Sequence, residues 1–158
     1  MRKSNREVTD KSTLVAIIAN CDVCRVAFFD DTHPYIVPMN FGCDYSGDLP
    51  ILYFHCAVEG RKLDLLRRNP NVGFEISRLL ELKTGDLACK WSANYESIIG
   101  EGKIAIVTDP DERIIGLSAL MEHYGAQQGS HIFDPGALGK TVVLRLKVVG
   151  MTGKRLEK

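Results

Sequence analysis

The sequence predicts a mainly β fold of the α+β class: a small antiparallel barrel of six strands with about three helices packed outside it. Three observations predict it. The first three strand-like runs are joined by turns too short for helical crossovers, which argues against a doubly wound parallel sheet. Two glycines interrupt a long strand near residue 100, as at a barrel bend or bulge. An alternating strand then returns near the end of the chain.

Each element has its own justification. Asp10 or Ser12 caps a first helix over 13–20, whose apolar stripe is Leu14, Ile17 and Ile18. Residues 24–29 form a strand through Val26, Phe28 and Phe29, and the polar turn at 30–33 makes a hairpin with 35–43. Pro38 removes a ladder donor from that second strand, so it belongs at an edge, at a bulge or where pairing is broken. A turn at 44–48 leads to the apolar strand that starts at Ile51.

After a tight turn at Glu59-Gly60, a helix buries Leu63, Leu65 and Leu66 and ends before Pro70. Residues 72–77 give a fourth strand; 78–93 have irregular apolar spacing and no assignment. Residues 95–107 form a long strand containing Gly100 and Gly102. Asp109 then caps a helix with Pro110 in its first position and Ile114, Leu117, Leu120, Met121 and Tyr124 on the helical period. Gly125 ends it, 125–139 is a loop, and 141–149 is the closing strand before a polar tail expected to fray. Residues 1–158 read as a single domain without repeats or linker.

Lys+Arg is 20 and Asp+Glu is 20, so no basic excess points to nucleic acid or a membrane surface. A formal charge of zero is compatible with self-association. Five cysteines, no signal-like apolar run behind the charged N-terminus and no membrane-length segment lead to the expectation of a cytoplasmic protein with reduced thiols. Cys21 and Cys24 form a lone C-x-x-C, which reads as a pair of structural thiols because no second pair supplies a zinc set. No metal-ligand spacing links the histidines, so no metal is expected.

The stretch 51–70 organises the chain. Arg61 and Lys62 fall in the first turn of a helix, where the dipole disfavours cations. They are either two solvated surface charges or the two sides of an anion site built on free backbone N–H groups.

Five segments in register resemble the pyridoxamine 5'-phosphate oxidase-like flavoproteins, in their nitroimidazole-resistance (Nim-like) branch. They are 35–42 around Pro38-Met39-Asn40-Phe41, 52–57 around His55-Cys56, 59–62 with Arg61-Lys62, 68–75, and 95–102 from Tyr95. The resemblance implies a six-stranded antiparallel split β-barrel that binds FMN, as a homodimer with cofactor sites at the interface. It assigns Arg61 and Lys62 to the phosphate, and the backbone of Pro38, Met39, Asn40 and Phe41 to the flavin edge. His55 and Cys56 fall beside the cofactor, where the branch more often has Ser at the second position. Tyr95 and Ser97 match a strand that closes the site from the partner subunit, with Trp91 near enough to cover the ring.

For several of these residues a plainer reading stands beside the functional one. His55 is a core histidine or the group that supplies protons or positions substrate. Tyr95 and Trp91 are dimer core or flavin stackers, and Ser97 either faces the site or solvent. The implied function is an FMN-dependent oxidoreductase that passes electrons from NAD(P)H to a small, electron-poor, nitroaromatic-like acceptor. The rival readings are a flavin-binding sensor or storage module without turnover, and a split barrel that binds a deazaflavin or haem.

Overall fold

The computed structural model describes residues 4–129 and 131–157. After a single helical turn at Ser4–Arg6, the elements are β1 (Glu7–Val8), α1 (Lys11–Ala19), β2 (Cys24–Phe28), β3 (Tyr35–Met39), β4 (Gly42–Asp44), β5 (Ile51–Ala57), α2 (Arg61–Arg68), β6 (Asn71–Lys83), β7 (Ser92–Ile106), α3 (Pro110–His123), α4 (Pro135–Gly139) and β8 (Thr141–Leu156). All strand pairs are antiparallel.

Among the described residues the sheet has eight strands, in the order β3-β2-β6-β7-β8-β5-β4, with β1 added against β8. The two ends of that path, β3 and β4, are separated in the chain only by Asn40 and Phe41. Ends so tethered force the sheet to curl round on itself, and since they do not pair with each other the barrel is split. The predicted class holds, with two differences in count: the described residues form eight strands rather than six, and four α-helices rather than about three.

The differences have local causes. The predicted strand over 35–43 divides at Asn40, because that side chain and the Phe41 N–H are bonded to a side chain outside the sheet. The unassigned stretch 78–93 is largely strand: β6 continues to Lys83 and β7 begins at Ser92, joined through a short turn at Ala88–Lys90. Its apolar residues alternate poorly because Leu79, Leu80 and Leu82 are all exposed. The tail does not fray as expected; β8 pairs with β7 as far as Leu156 and carries β1 on its other edge. The glycine-rich bend is a register shift between Glu101 and Gly102, where a Cβ on Gly102 would stand 2.4 Å from the Lys147 carbonyl oxygen.

The inner face of the sheet is filled by Phe28, Phe41, Phe54, Ile76, Ile98 and Leu144, all fully buried. Each large apolar side chain so placed contributes about 1.5–3 kcal/mol. Helix α1 closes this core with Leu14, Ile17 and Ile18, and Asp10 caps it by accepting from the Thr13 N–H at 2.8 Å. Helix α3 packs outside, on β4 and β5, around Tyr53, Val107, Leu117, Leu120 and Val143. No described helix is long and apolar enough to cross a membrane.

Candidate functional site

The split leaves two strand edges open toward each other. Among the described residues β3 is hydrogen-bonded only to β2, so its outer edge lacks a strand partner. Pro38 sits on this terminal strand, where a missing donor is tolerated. Strand β4 covers β5 only from Ile51 to Tyr53, so Phe54–Ala57 is paired on its β8 side alone. Between these edges lies a cleft of about 400 Å³. Val37, Pro38, Met39 and Asn40 line one wall, and His55, Cys56 and Ala57 the other. Lys62, Lys140 and Thr141 complete it.

The cleft abuts the start of α2. Gly60 is its N-cap with φ 139°, a left-handed-side conformation that L side chains rarely adopt. Glycine brings no capping side chain, and the first backbone bonds back to the Gly60 carbonyl come from Leu63 and Asp64. The N–H groups of Arg61 and Lys62 are thus helix-start donors without intrahelical acceptors, next to the positive end of the dipole.

The two cations of that turn diverge. Lys62 is half-buried and lines the cleft. Arg61 is engaged elsewhere: its Nη2 is hydrogen-bonded to Asp30 Oδ2, and its guanidinium lies 4.8 Å from the centre of the Tyr35 ring. Arg68 reaches the same loop, 3.4 Å from Asp30 and 3.3 Å from Asp31. The hydrogen bond from Arg61 holds the Asp30 carboxyl below the usual carboxylate range.

His55 is exposed on β5, which removes the core-histidine reading. Cys56 is half-buried; desolvation raises its thiol pKa, against a smaller lowering by the Lys62 charge. It is a neutral thiol at neutral pH, a weaker donor than a serine hydroxyl. Met39 lines the cleft, whereas the Phe41 side chain is fully buried in the core behind it.

Helix α3 and its C-cap Tyr124 tie down two corners of the cleft. The Tyr124 hydroxyl accepts from Asn40 Nδ2 at 2.9 Å and from the Phe41 N–H at 3.3 Å, and donates to the Asp22 carbonyl. One donor and two accepting lone pairs are all used. Arg113 donates to the carbonyls of Leu138 at 2.7 Å and Thr141 at 2.9 Å, pinning the α4–β8 junction that carries Lys140. Arg113 and Lys140 do not stand out in the sequence, and Tyr124 stands out only for its place on the helical period. The partners of the Tyr124 and Arg113 side chains lie 25 or more positions away, and no local pattern announces them.

Trp91, Tyr95 and Ser97 do not line the cleft of a single chain. Trp91 is exposed and donates its Nε1–H to the Gly85 carbonyl at 2.9 Å. Tyr95 and Ser97 point to the outer face of β7, alternating with the buried Asn94, Glu96 and Ile98. Lys154 lies 5.6 Å from the Tyr95 ring centre, and its hydrogen bond to the phenol lowers the Tyr95 pKa. Among the described residues no group of three His, Cys, Asp or Glu side chains could hold a metal ion.

The family model for pyridoxamine 5'-phosphate oxidase matches residues 10–155. A solved structure of a proposed 5-nitroimidazole antibiotic resistance protein from Bacteroides thetaiotaomicron is 35% identical, over 94% of this chain and 86% of that one, with a TM-score of 0.78. A FAD- and haem-binding protein from Mycobacterium smegmatis shares the fold at 21% identity, over 97% and 74% of the two chains, with a TM-score of 0.81. A flavocytochrome from Azotobacter vinelandii does so at 19% identity, over 100% and 72%, with a TM-score of 0.79. No curated protein matches the chain.

Proposed function

Because this chain belongs to the pyridoxamine 5'-phosphate oxidase family, we propose that it is an FMN-dependent oxidoreductase. In this reading it moves electrons from NAD(P)H to a small, electron-poor, nitroaromatic-like acceptor. The observation that carries the proposal is the cleft along the unpaired edge of β3, which ends at the helix start of α2 with Lys62 and Lys140 beside it. Free N–H groups, a positive dipole end and two ammonium groups suit a phosphate monoester. The unpaired backbone of β3 suits the polar edge of a planar heterocycle. The residues present therefore fit FMN.

The flavin, when bound, supplies the redox chemistry. The residues of the chain do the rest. Lys62, Lys140 and the α2 N–H groups hold the phosphate. Pro38, Met39 and Asn40 offer backbone to the ring, and Tyr124 keeps that segment in place through Asn40 and Phe41. His55, exposed at the cleft wall, positions the acceptor or moves a proton. Arg61 joins the phosphate only by leaving Asp30, so its contribution is smaller than that of Lys62.

The active unit in this proposal is a homodimer. The outer face of β6 and β7 exposes Leu79, Leu82 and Ile99, with Trp91 just ahead of β7, all at 56–63%, an apolar surface of the kind that a second copy covers. Tyr95, Ser97 and Trp91 would act on the cofactor from there, as partner residues. Five free cysteines, two of them buried, accord with a cytoplasmic setting.

The test is to purify the protein, add FMN, and record its visible spectrum and its oxidation of NADH with a nitroaromatic present. The proposal requires a yellow protein that consumes NADH in proportion to acceptor. A colourless protein that takes up no FMN refutes it. Tight FMN binding without NADH oxidation would instead support the non-turnover sensor or storage module.

A further inference from the structure

A second cavity adjoins the cleft. It has a volume of about 390 Å³ and shares Asn40, His55 and Thr141 with the cleft, so the two spaces meet at His55. Its wall is built by Leu117, Leu120 and Met121 of α3, Phe133 ahead of α4 and Leu138 within α4. Tyr124, Ala137 and Asp134 complete it. The character of this lining differs from that of the cleft. Among the described residues no lysine or arginine lines it, and the one carboxylate that does, Asp134, is spent on capping α4 by accepting from the Ala137 N–H at 2.8 Å.

We propose that this cavity is the acceptor site, and that it selects neutral, single-ring apolar compounds and rejects those carrying a carboxylate or phosphate. The inference deepens the flavin reading and rests on it for the purpose of the cavity, though not for its selectivity. An anion entering here would lose its hydration against apolar carbon and meet the Asp134 carboxylate, while the nearest guanidinium, Arg113, is already spent on the Leu138 and Thr141 carbonyls. A neutral ring gains burial against Leu117, Phe133 and Leu138, with Asn40, His55 and Thr141 at one end to orient a polar substituent. The division of labour is thus by charge: the cleft with Lys62 and Lys140 takes an anion, and the cavity beyond His55 does not.

The entrance is accessible to mutation without touching the core. Ala137 is exposed, lines the cavity, and uses only its backbone in the α4 hydrogen bonds. Binding of 4-nitrobenzyl alcohol and of 4-nitrobenzoate is measured by calorimetry on the protein, with and without FMN, alongside FMN affinity. These probes share a ring and differ in charge. The alcohol is expected to bind about tenfold or more tightly than the benzoate. Ala137→Trp is expected to weaken the alcohol by about tenfold while FMN affinity stays within about twofold, since only the cavity is filled. Ala137→Arg is expected to close most of the gap between the two probes by giving the anion a partner.

Equal binding of the two probes, or alcohol binding that Ala137→Trp leaves unchanged, overturns the inference. If the protein takes up no FMN and the alcohol still shows this pattern, the flavin reading falls while the cavity's selectivity stands.

Discussion

Replacing Lys62 by alanine removes the cation that α2 contributes to the cleft and leaves the helix-start N–H groups intact. A hydrogen bond to a charged group is worth about 1.5–3 kcal/mol. Lys62 is half-buried rather than enclosed, so the lower part of that range applies: about 1.5–2 kcal/mol, or about 10- to 30-fold in Kd. The assay is quenching of flavin fluorescence on titration, run in parallel with FMN and with riboflavin, which lacks the phosphate. FMN affinity should fall by that factor and riboflavin affinity should not change. Arg61→Ala should weaken FMN less, because Asp30 already holds that guanidinium. Asp30→Asn should tighten FMN in the otherwise unaltered protein by releasing Arg61. Equal losses for FMN and riboflavin in Lys62→Ala, or no loss for either, would refute the phosphate assignment.

Other consequences follow from the packing. A Cβ on Gly42 would lie 2.3 Å from the backbone carbon of Ala119 and the nitrogen of Leu120. Gly42→Ala should therefore destabilise by about 1–3 kcal/mol, a Tm loss of several degrees in a thermal melt. Gly139→Ala, with nothing near its Cβ, should stay within about 0.5 kcal/mol of wild type. Tyr124→Phe strips the hydroxyl that holds Asn40, the Phe41 N–H and the Asp22 carbonyl. It should lower both Tm and FMN affinity, and an unchanged FMN Kd would show that the β3–β4 link needs no such anchor. Burial pushes the Cys21 thiol up to about 11 and the Cys43 thiol up to about 12, from an ordinary 9.0. The folded chain then holds protons that the unfolded chain releases, so this stabilisation is complete below pH 9.0 and is lost as pH rises toward 11–12. Melts between pH 8 and 11 should show Tm falling on the alkaline side, with a smaller fall in Cys21→Ala/Cys43→Ala if that variant remains folded.

The legible parts of the sequence were those whose cause is local. Asp109-Pro110 and Asp10 cap their helices as their residue types require. Pro38, which the sequence places at an edge, a bulge or a break in pairing, lies on the terminal strand β3, where its missing N–H is tolerated. Gly60 followed by two cations marked the helix start that now borders the cleft. What was illegible depends on distant partners. The divergence of Arg61 from Lys62 is set by Asp30, which is 31 positions earlier. The division of the 35–43 strand is fixed by Tyr124, 84 positions after Asn40. The strand from Gly150 to Leu156 has too few apolar residues to show a period, and it is held by backbone pairing with β7 and β1 rather than by burial. Helix α4 hid inside a Pro-Gly stretch that resembles a turn, and only the Asp134 cap betrays it.

The central claim is that the phosphate of a flavin nucleotide rests at the start of α2, with its ring along the open edge of β3. The most direct measurement is a crystal structure of the FMN-loaded protein. Phosphate oxygens within hydrogen-bond reach of Lys62 and the α2 N–H groups, with the ring against Pro38–Asn40 and beside His55, are the result this account requires. A phosphate bound away from Lys62, with the β3 edge facing bare solvent, would contradict it.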